Sequence, residues 1–328
     1  MSRAPKGHIL IPGVELPLTR IVLGTMSMGD TADAVASEEI FEVAMAAGVT
    51  GVDCANSYAR GATEALIAPF VKRHRSNIVL ATKAGIPHPD GHGLPPLSRK
   101  ALLASVEGSL RRLGVDYVDL FYLHQPDRLT PLEETLTAVA ELYAAGTIRA
   151  LGVSNYAAWQ ALDVARVAEK VGAPSPVVGQ NVYNLLARRI EDDWAEFAQT
   201  HGLLTMCYNP LAGGLLAGIS RTGLPARYGE GSSLAEMYKR RYWLPELVEA
   251  ARALEQLAAD SGLSSADLGL RWLASQQTAG AILVGGDRAD HVQANLAALA
   301  QGPLPEDVLG RCSRITDPLK GVMPASSR

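Results

Sequence analysis

"GVDCANSYARGATE", residues 51–64, decides how the rest of the chain is read. An apolar run ends on a carboxylate, Asp53, a phenol follows at Tyr58 in a Gly-containing loop, and "TEALIAPFVKRH" (63–74) then has the spacing of a helix. Alone, Asp53 reads as a helix cap and Tyr58 as a half-buried loop aromatic. Two later runs repeat the arrangement. "NIVLATKAG" (77–85) closes its apolar part on Lys83, and "VDYVDLFYLHQPD" (115–127) closes on His124. In a parallel barrel all strand C-termini meet at one rim, so Asp53, Lys83 and His124 are expected to converge there with Tyr58.

Working outward, the same strand-helix alternation covers most of the chain. Before the pivotal stretch come "RIVLGTM" (20–26) as a strand and "ASEEIFEVAMAAG" (36–48) as a helix, capped by Ser37 and stopped at Gly48. After it, "SRKALLASVEGSLRRLG" (98–114) is a helix opened by Ser98 and closed by Gly114. "TPLEETLTAVAELYAAG" (130–146) is another, with Thr130 as cap, Pro131 in the first turn and Gly146 at the end. Strands "IRALGVS" (148–154), "PVVGQNVY" (176–183) and "LLTMCYN" (203–209) alternate with two further helices, and "GAILVGG" (280–286) supplies the eighth. "HILIPGVELPL" (8–18) reads as two short strands around the Pro12-Gly13 turn. The segment 210–243, Gly-rich and Arg-containing, interrupts the alternation, and loops of that length in compact domains are usually covers or binding loops. "TDPLKGVMPASSR" (316–328) reads as a polar tail.

The expectation is one domain over 1–328, an α/β (β/α)8 TIM barrel with an N-terminal β-hairpin and a long loop after the seventh barrel strand. A doubly wound open sheet is the rival. It wants a G-x-G-x-x-G turn after an early strand, and "GTMSMG", "CANSYARG" and "TKAGIP" do not supply one.

Composition sets the partner classes. A net charge of -4 and a pI near 6.0 give no pull toward nucleic acid or anionic membrane. No window reaches the roughly 18 apolar residues of a membrane span, and the first residues lack the apolar core of a secretory signal. Three widely spaced cysteines, Cys54, Cys207 and Cys312, form no CxxC pair, which points to reduced, buried thiols in a cytoplasmic setting. His88 and His92, four apart in "GIPHPDGHG", sit among Pro and Gly and read as solvated loop histidines; no metal site is expected.

An ammonium beside a carboxylate, both near a phenol, is a specific chemical device. Free tyrosine, with a pKa of about 10, is a poor acid at neutral pH unless a nearby cation stabilises its phenolate. Lys83 would do that, Asp53 would hold Lys83, and His124 would donate to an oxygen gaining negative charge. The set suits protonation of a carbonyl oxygen while hydride reaches its carbon.

The motifs "VDCANSY" with "TE", "LATKAG", "LRRLGVDYVDLFYLHQPD", "GTIRALGVSNY", "GQNVYN" and "CYNPLAGGLL" together resemble the aldo-keto reductase family over nearly the whole chain. "LGTMSMG", "GVSNYAAWQ", "YNPLAGGLL" and "YKRRYW" resemble the branch of aflatoxin-dialdehyde and succinic semialdehyde reductases, with potassium-channel β subunits more distant. The resemblance implies Asp53, Tyr58 as general acid, Lys83 as modulator of its pKa and His124 as carbonyl orienter. It implies cofactor contacts at Ser154, Asn155, Gln180 and Tyr208, the last stacking on the nicotinamide. In the long segment and at the last strand it adds Leu211, Gly213, Arg221, Gly285, Arg288 and Asn295, with Gly214 and Arg227 beside them, and it assigns Arg241 to a substrate carboxylate.

The chain departs from the family pattern at Cys54, at Ala59 and Arg60, and at Gly286, Asp287 and His291. An acid at Asp287 would repel an adenosine 2'-phosphate, and Arg288 would offset it. The implied cofactor is NADPH, with NADH possible, the implied partner is a small carbonyl substrate, and the protein is expected to be a monomer or homodimer. Two other classes stay open: a nucleotide-binding regulatory subunit, and an unrelated barrel lyase or metal-dependent hydrolase.

Overall fold

Strands buried on both faces need near-continuous apolar runs, and the strand runs above have that character. The computed structural model describes residues 7–219 and 224–321. A hairpin of β1 (His8–Ile9) and β2 (Leu18–Thr19) precedes eight parallel strands. These are β3 (Ile21–Gly24), β4 (Gly51–Asp53), β5 (Val79–Ala84), β6 (Val118–Leu123), β7 (Ile148–Ser154), β8 (Pro176–Val182), β9 (Leu204–Tyr208) and β10 (Ala281–Val284). They pair in sequence order and β10 returns to β3, so the sheet is a closed barrel. The TIM-barrel reading, hairpin included, holds.

The barrel interior is packed rather than hollow. Val22, Val79, Leu120, Tyr122, Val178, Met206 and Leu283 fill it, and the Tyr122 hydroxyl donates to Met206 Sδ at 3.4 Å. The hairpin seals the bottom. A Cβ on Gly13, which has φ +85°, would lie 2.5 Å from the Arg149 carbonyl, so the turn sits flush against the start of β7.

Helices α1 (Ala34–Ala46), α2 (Ala62–His74), α3 (Arg99–Leu113), α4 (Leu132–Ala144), α5 (Ala158–Val171) and α6 (Trp194–His201) follow the first strands. Two caps differ from expectation. Asp33, not Ser37, caps α1 by accepting from Ala36 N, and Ser37 is buried inside the helix. Before α4 the cap position is Pro131, and Thr130 donates instead to Asp127 Oδ2 at 2.7 Å. The long segment is built rather than loose: a kinked 3-10 stretch at Ala212–Ala217 and a 3-10 turn at Ala226–Tyr228 lead into α7 (Ala235–Tyr242). Tyr228, Tyr238, Tyr242 and Trp243 pack together there, with ring centroids 5.6 to 6.3 Å apart.

Helices α8 (Pro245–Asp260), α9 (Ser265–Ser275) and α10 (Ala289–Ala300) complete the ring. Glu306–Thr316 carries no clear element signal in the sequence. It is a helix, α11, and buries Val308, Cys312 and Thr316 at four-residue spacing.

Candidate active site

The three ionisable strand ends meet because the strand registers form a staircase. Asp53 ends β4 opposite Ala81, which puts Lys83 one pleat further along β5; Lys83 lies opposite Tyr122, which puts His124 one pleat beyond that, just past β6. Asp53 and Lys83 are wholly buried, and His124 nearly so. Lys83 Nζ donates to Asp53 Oδ1, to the Cys54 carbonyl at 2.8 Å and to the Tyr58 hydroxyl oxygen at 3.1 Å. All three ammonium protons are thereby used, and the lysine cannot swing away without leaving a buried partner unmatched. The second oxygen of Asp53 accepts from Gln180 Nε2 at 2.9 Å. The rings of Tyr58 and His124 stand edge to face, 6.1 Å apart.

Burial and neighbouring charge set the protonation states. Burial disfavours the Lys83 ammonium, yet the adjacent Asp53 carboxylate and the Tyr58 oxygen outweigh it and hold Lys83 charged. Burial, reinforced by the Lys83 charge, keeps His124 well below the usual imidazole range, so it is a neutral ring at physiological pH. At Tyr58 the pull of Lys83 has the expected sign but is outweighed. Burial pushes the phenol up to about 12, against the pull of Lys83, whose field Asp53 partly cancels. Tyr58 is therefore protonated in the resting protein, while the Lys83 N–H already points at the oxygen that would carry charge once the proton leaves.

The loop that presents Tyr58 is contorted. Ala59 and Arg60 have φ +43° and +55°, and Gly61 has φ +93°. Each non-glycine residue in this region costs about 1–2 kcal/mol, so the surroundings must impose the shape.

The other expected residues gather in two groups. At the rim beside His124, Ser154 ends β7 and is buried. Asn155, at φ +61°, donates from Nδ2 to the His124 carbonyl at 2.9 Å and to Ser154 Oγ at 3.1 Å. Its Oδ1 accepts from the Tyr208 hydroxyl at 2.7 Å, and the charge of the Arg241 guanidinium acts on the same tyrosine. Arg241 thus reaches the mouth of the site from α7. Gln180 is in the group, but its amide nitrogen is committed to Asp53.

The second group lies along the long segment and the start of α10. Gly213 and Gly214 have positive φ, and a Cβ on Gly213 would lie 2.5 Å from the Tyr238 ring, so that glycine is required by the aromatic cluster. The side chain of Leu211 faces Gly269 of α9. Arg227 lies over the Tyr238 ring at 5.6 Å, inside the segment's own packing. Arg221 falls outside the described residues. Gly285 abuts Gly24, and Asn295 Nδ2 donates to the Gly285 carbonyl at 3.4 Å. Arg288 is held in a two-point pair by Asp290, at 2.9 and 2.7 Å, while Asp287 binds His291 Nδ1 at 2.8 Å.

Three features were not foreseen. Asp30, after β3, accepts from Ser232 Oγ at 3.0 Å and Ser233 N at 2.9 Å, tying the long segment across the rim. His88 is not solvated: its side chain is 4% exposed and its Nδ1 contacts Asp90 at 3.1 Å, whereas His92 is exposed. The Gln180–Asp53 bond joins residues 127 positions apart, beyond the reach of any local spacing signal. Among the described residues no group of three His, Cys, Asp or Glu side chains has the spacing of a metal site, and no helix is long and apolar enough to cross a membrane.

The sequence pattern of the aldo/keto reductase family matches residues 20–317. Aflatoxin B1 aldehyde reductase member 2 of Rattus norvegicus is 35% identical over 93% of this chain and 86% of its own length. Aldo-keto reductase family 7 member A3 of Homo sapiens is 35% identical over 86% of this chain and 89% of its own. A probable voltage-gated potassium channel subunit beta of Arabidopsis thaliana is 30% identical over 85% of this chain and 86% of its own.

Proposed function

Because this chain belongs to the aldo/keto reductase family and is an NAD(P)H-dependent oxidoreductase acting on carbonyls, we propose that it reduces an aldehyde or ketone with NADPH, Tyr58 serving as proton donor. The observation that carries this reading is the Lys83 ammonium shared between Asp53 and the Tyr58 hydroxyl, beside a neutral His124. When bound, the nicotinamide supplies hydride to the carbonyl carbon. Tyr58 gives its proton to the carbonyl oxygen, and the Lys83 N–H, fixed by Asp53, stabilises the phenolate that remains. Neutral His124 donates a second hydrogen bond to the same oxygen without bringing a competing charge.

The donor set at the rim suits a nicotinamide carboxamide. Ser154 Oγ accepts from Asn155 and keeps its own proton to give, and the Tyr208 ring is fixed through its hydroxyl by Asn155. At the adenosine end, Arg288 would meet the 2'-phosphate once released from Asp290, with Asn295 near the adenine and the start of α10 offering backbone N–H groups. Arg241, at the mouth, favours substrates bearing a carboxylate. The intact tetrad supports a working enzyme over a regulatory subunit, and the reading places it in the cytoplasm as a monomer or homodimer.

Fluorescence titration with NADPH and NADH separately, followed by aldehyde-dependent loss of absorbance from the bound cofactor, tests the proposal. Micromolar binding of NADPH in preference to NADH, with turnover of an aromatic aldehyde, is the expected result. Binding of neither nucleotide overturns it, and a clear preference for NADH overturns the cofactor assignment.

A further inference from the structure

Beneath the contorted Tyr58 loop lies a buried charge cluster that takes no part in the chemistry described above. Glu64, in the first turn of α2, is wholly buried. Its Oε1 accepts from Thr82 Oγ1 at 2.6 Å and its Oε2 from Arg112 Nε at 2.8 Å. Thr82 immediately precedes Lys83 in β5, and Arg112 comes from the last turn of α3. Arg112 Nη1 also donates to Asp90 Oδ2 at 2.8 Å, and Asp90 contacts His88. A Cβ on Gly61 would lie 3.0 Å from Arg112 Nε, so the guanidinium bears directly on the last left-handed residue of the loop. On the other side, Thr63 Oγ1 donates to the Met28 carbonyl at 2.7 Å.

We infer that Glu64 and Arg112 are positioning residues for the proton-donating step. One carboxylate ties the helix that follows the Tyr58 loop to the strand residue next to Lys83, and the arginine behind it imposes the left-handed turn through Ala59, Arg60 and Gly61. The Tyr58 hydroxyl then meets Lys83 without a search. A strained loop of this kind relaxes when the groups that over-determine it are removed, and the phenol leaves the ammonium. The inference rests on Tyr58 being the proton donor, and its test is chosen to stand apart from that reading.

The double variant E64Q/R112M removes both members of the Glu64–Arg112 pair, so neither is left as a lone buried ion, leaves Asp90 with His88, and keeps an amide to accept from Thr82. Hydrogen–deuterium exchange of residues 57–62 in the intact protein needs no substrate. Exchange there is expected to rise at least about tenfold, with the strands unchanged. In the aldehyde assay kcat is expected to fall about 10–100-fold, as for a misplacement near 1 Å, while the Kd for NADPH stays put. If the double variant fails to fold, Glu64→Asp keeps the ion pair but cannot span both Thr82 and Arg112, and the same two signatures are expected. Unchanged exchange at 57–62, or an equal rise across the whole barrel, overturns the inference. A wild-type protein that binds NADPH but reduces no aldehyde defeats the Tyr58 reading instead, and the exchange result still decides the clamp.

Discussion

The two sides of the rim are built differently. On the side of β4, β5 and β6, the charged groups are buried, paired and saturated: Lys83 has three acceptors, Asp53 two donors, and Glu64 two donors. On the side of β9, α7 and α10, Arg241, Arg288, Asp290 and His291 are exposed, and Arg288 and His291 pair with their near neighbours Asp290 and Asp287. Buried networks resist change because each member left alone is costly, whereas exposed pairs are worth little. The comparison separates a fixed chemical centre from an adjustable selective surface.

Replacing Lys83 with Met attacks the fixed side most directly. It strands Asp53, so a stability loss of about 3–5 kcal/mol is expected from denaturant unfolding, with activity abolished. Tyr58→Phe keeps the packing and removes only the proton: turnover falls about 10²–10⁴-fold while fluorescence titration finds NADPH binding intact. The sign of the pH dependence follows from the same group. The donor acts when protonated, a state that persists below its pKa, and Tyr58 is pushed up to about 12. Wild-type turnover should therefore show no loss from this group at about pH 10, where an ordinary phenol would be half ionised.

On the adjustable side, effects shrink and become selective. Arg241→Ala is expected to raise KM for succinic semialdehyde about tenfold, as for a lost charged hydrogen bond, and to leave KM for benzaldehyde unchanged. An equal change for both would remove Arg241 from carboxylate recognition. Asp290→Asn frees Arg288 and is expected to tighten NADPH binding by about two- to fivefold, a surface-pair effect, with NADH unaffected.

Much of this is legible in the sequence. Parallel strands advertise themselves as apolar runs, and three of them end on Asp53, Lys83 and His124, so the barrel and its centre could be read together. What escaped depends on distance in sequence. Arg112 is 48 residues from Glu64, and nothing in "SLRRLG" distinguishes it from the solvated Arg111 beside it. The same holds for Gln180 and Asp53, and for Asp30 and Ser232. Caps failed for a different reason. Ser37 and Thr130 are good capping types, but Asp33 lies four residues ahead of Ser37 and Thr130 is engaged by Asp127. Helix α11 shows only three buried positions, two of them small and weakly apolar. The pull of Lys83 on Tyr58 has the sign its charge implies, but the cost of burial, the larger effect, and the Asp53 counter-ion are not visible in the sequence.

The closure of β10 on β3 has a consequence for how the protein is made. Val22 pairs with Leu283, and the Gly24 carbonyl rests against Gly285, so the first and last staves of the barrel are joined across almost the whole length of the chain. A polypeptide emerging at roughly 5–20 residues per second exposes β3 for on the order of tens of seconds before its partner exists. Throughout that interval the edges of β3 and of the newest strand stand open, and a nascent chain of this protein offers the kind of surface that chaperones bind.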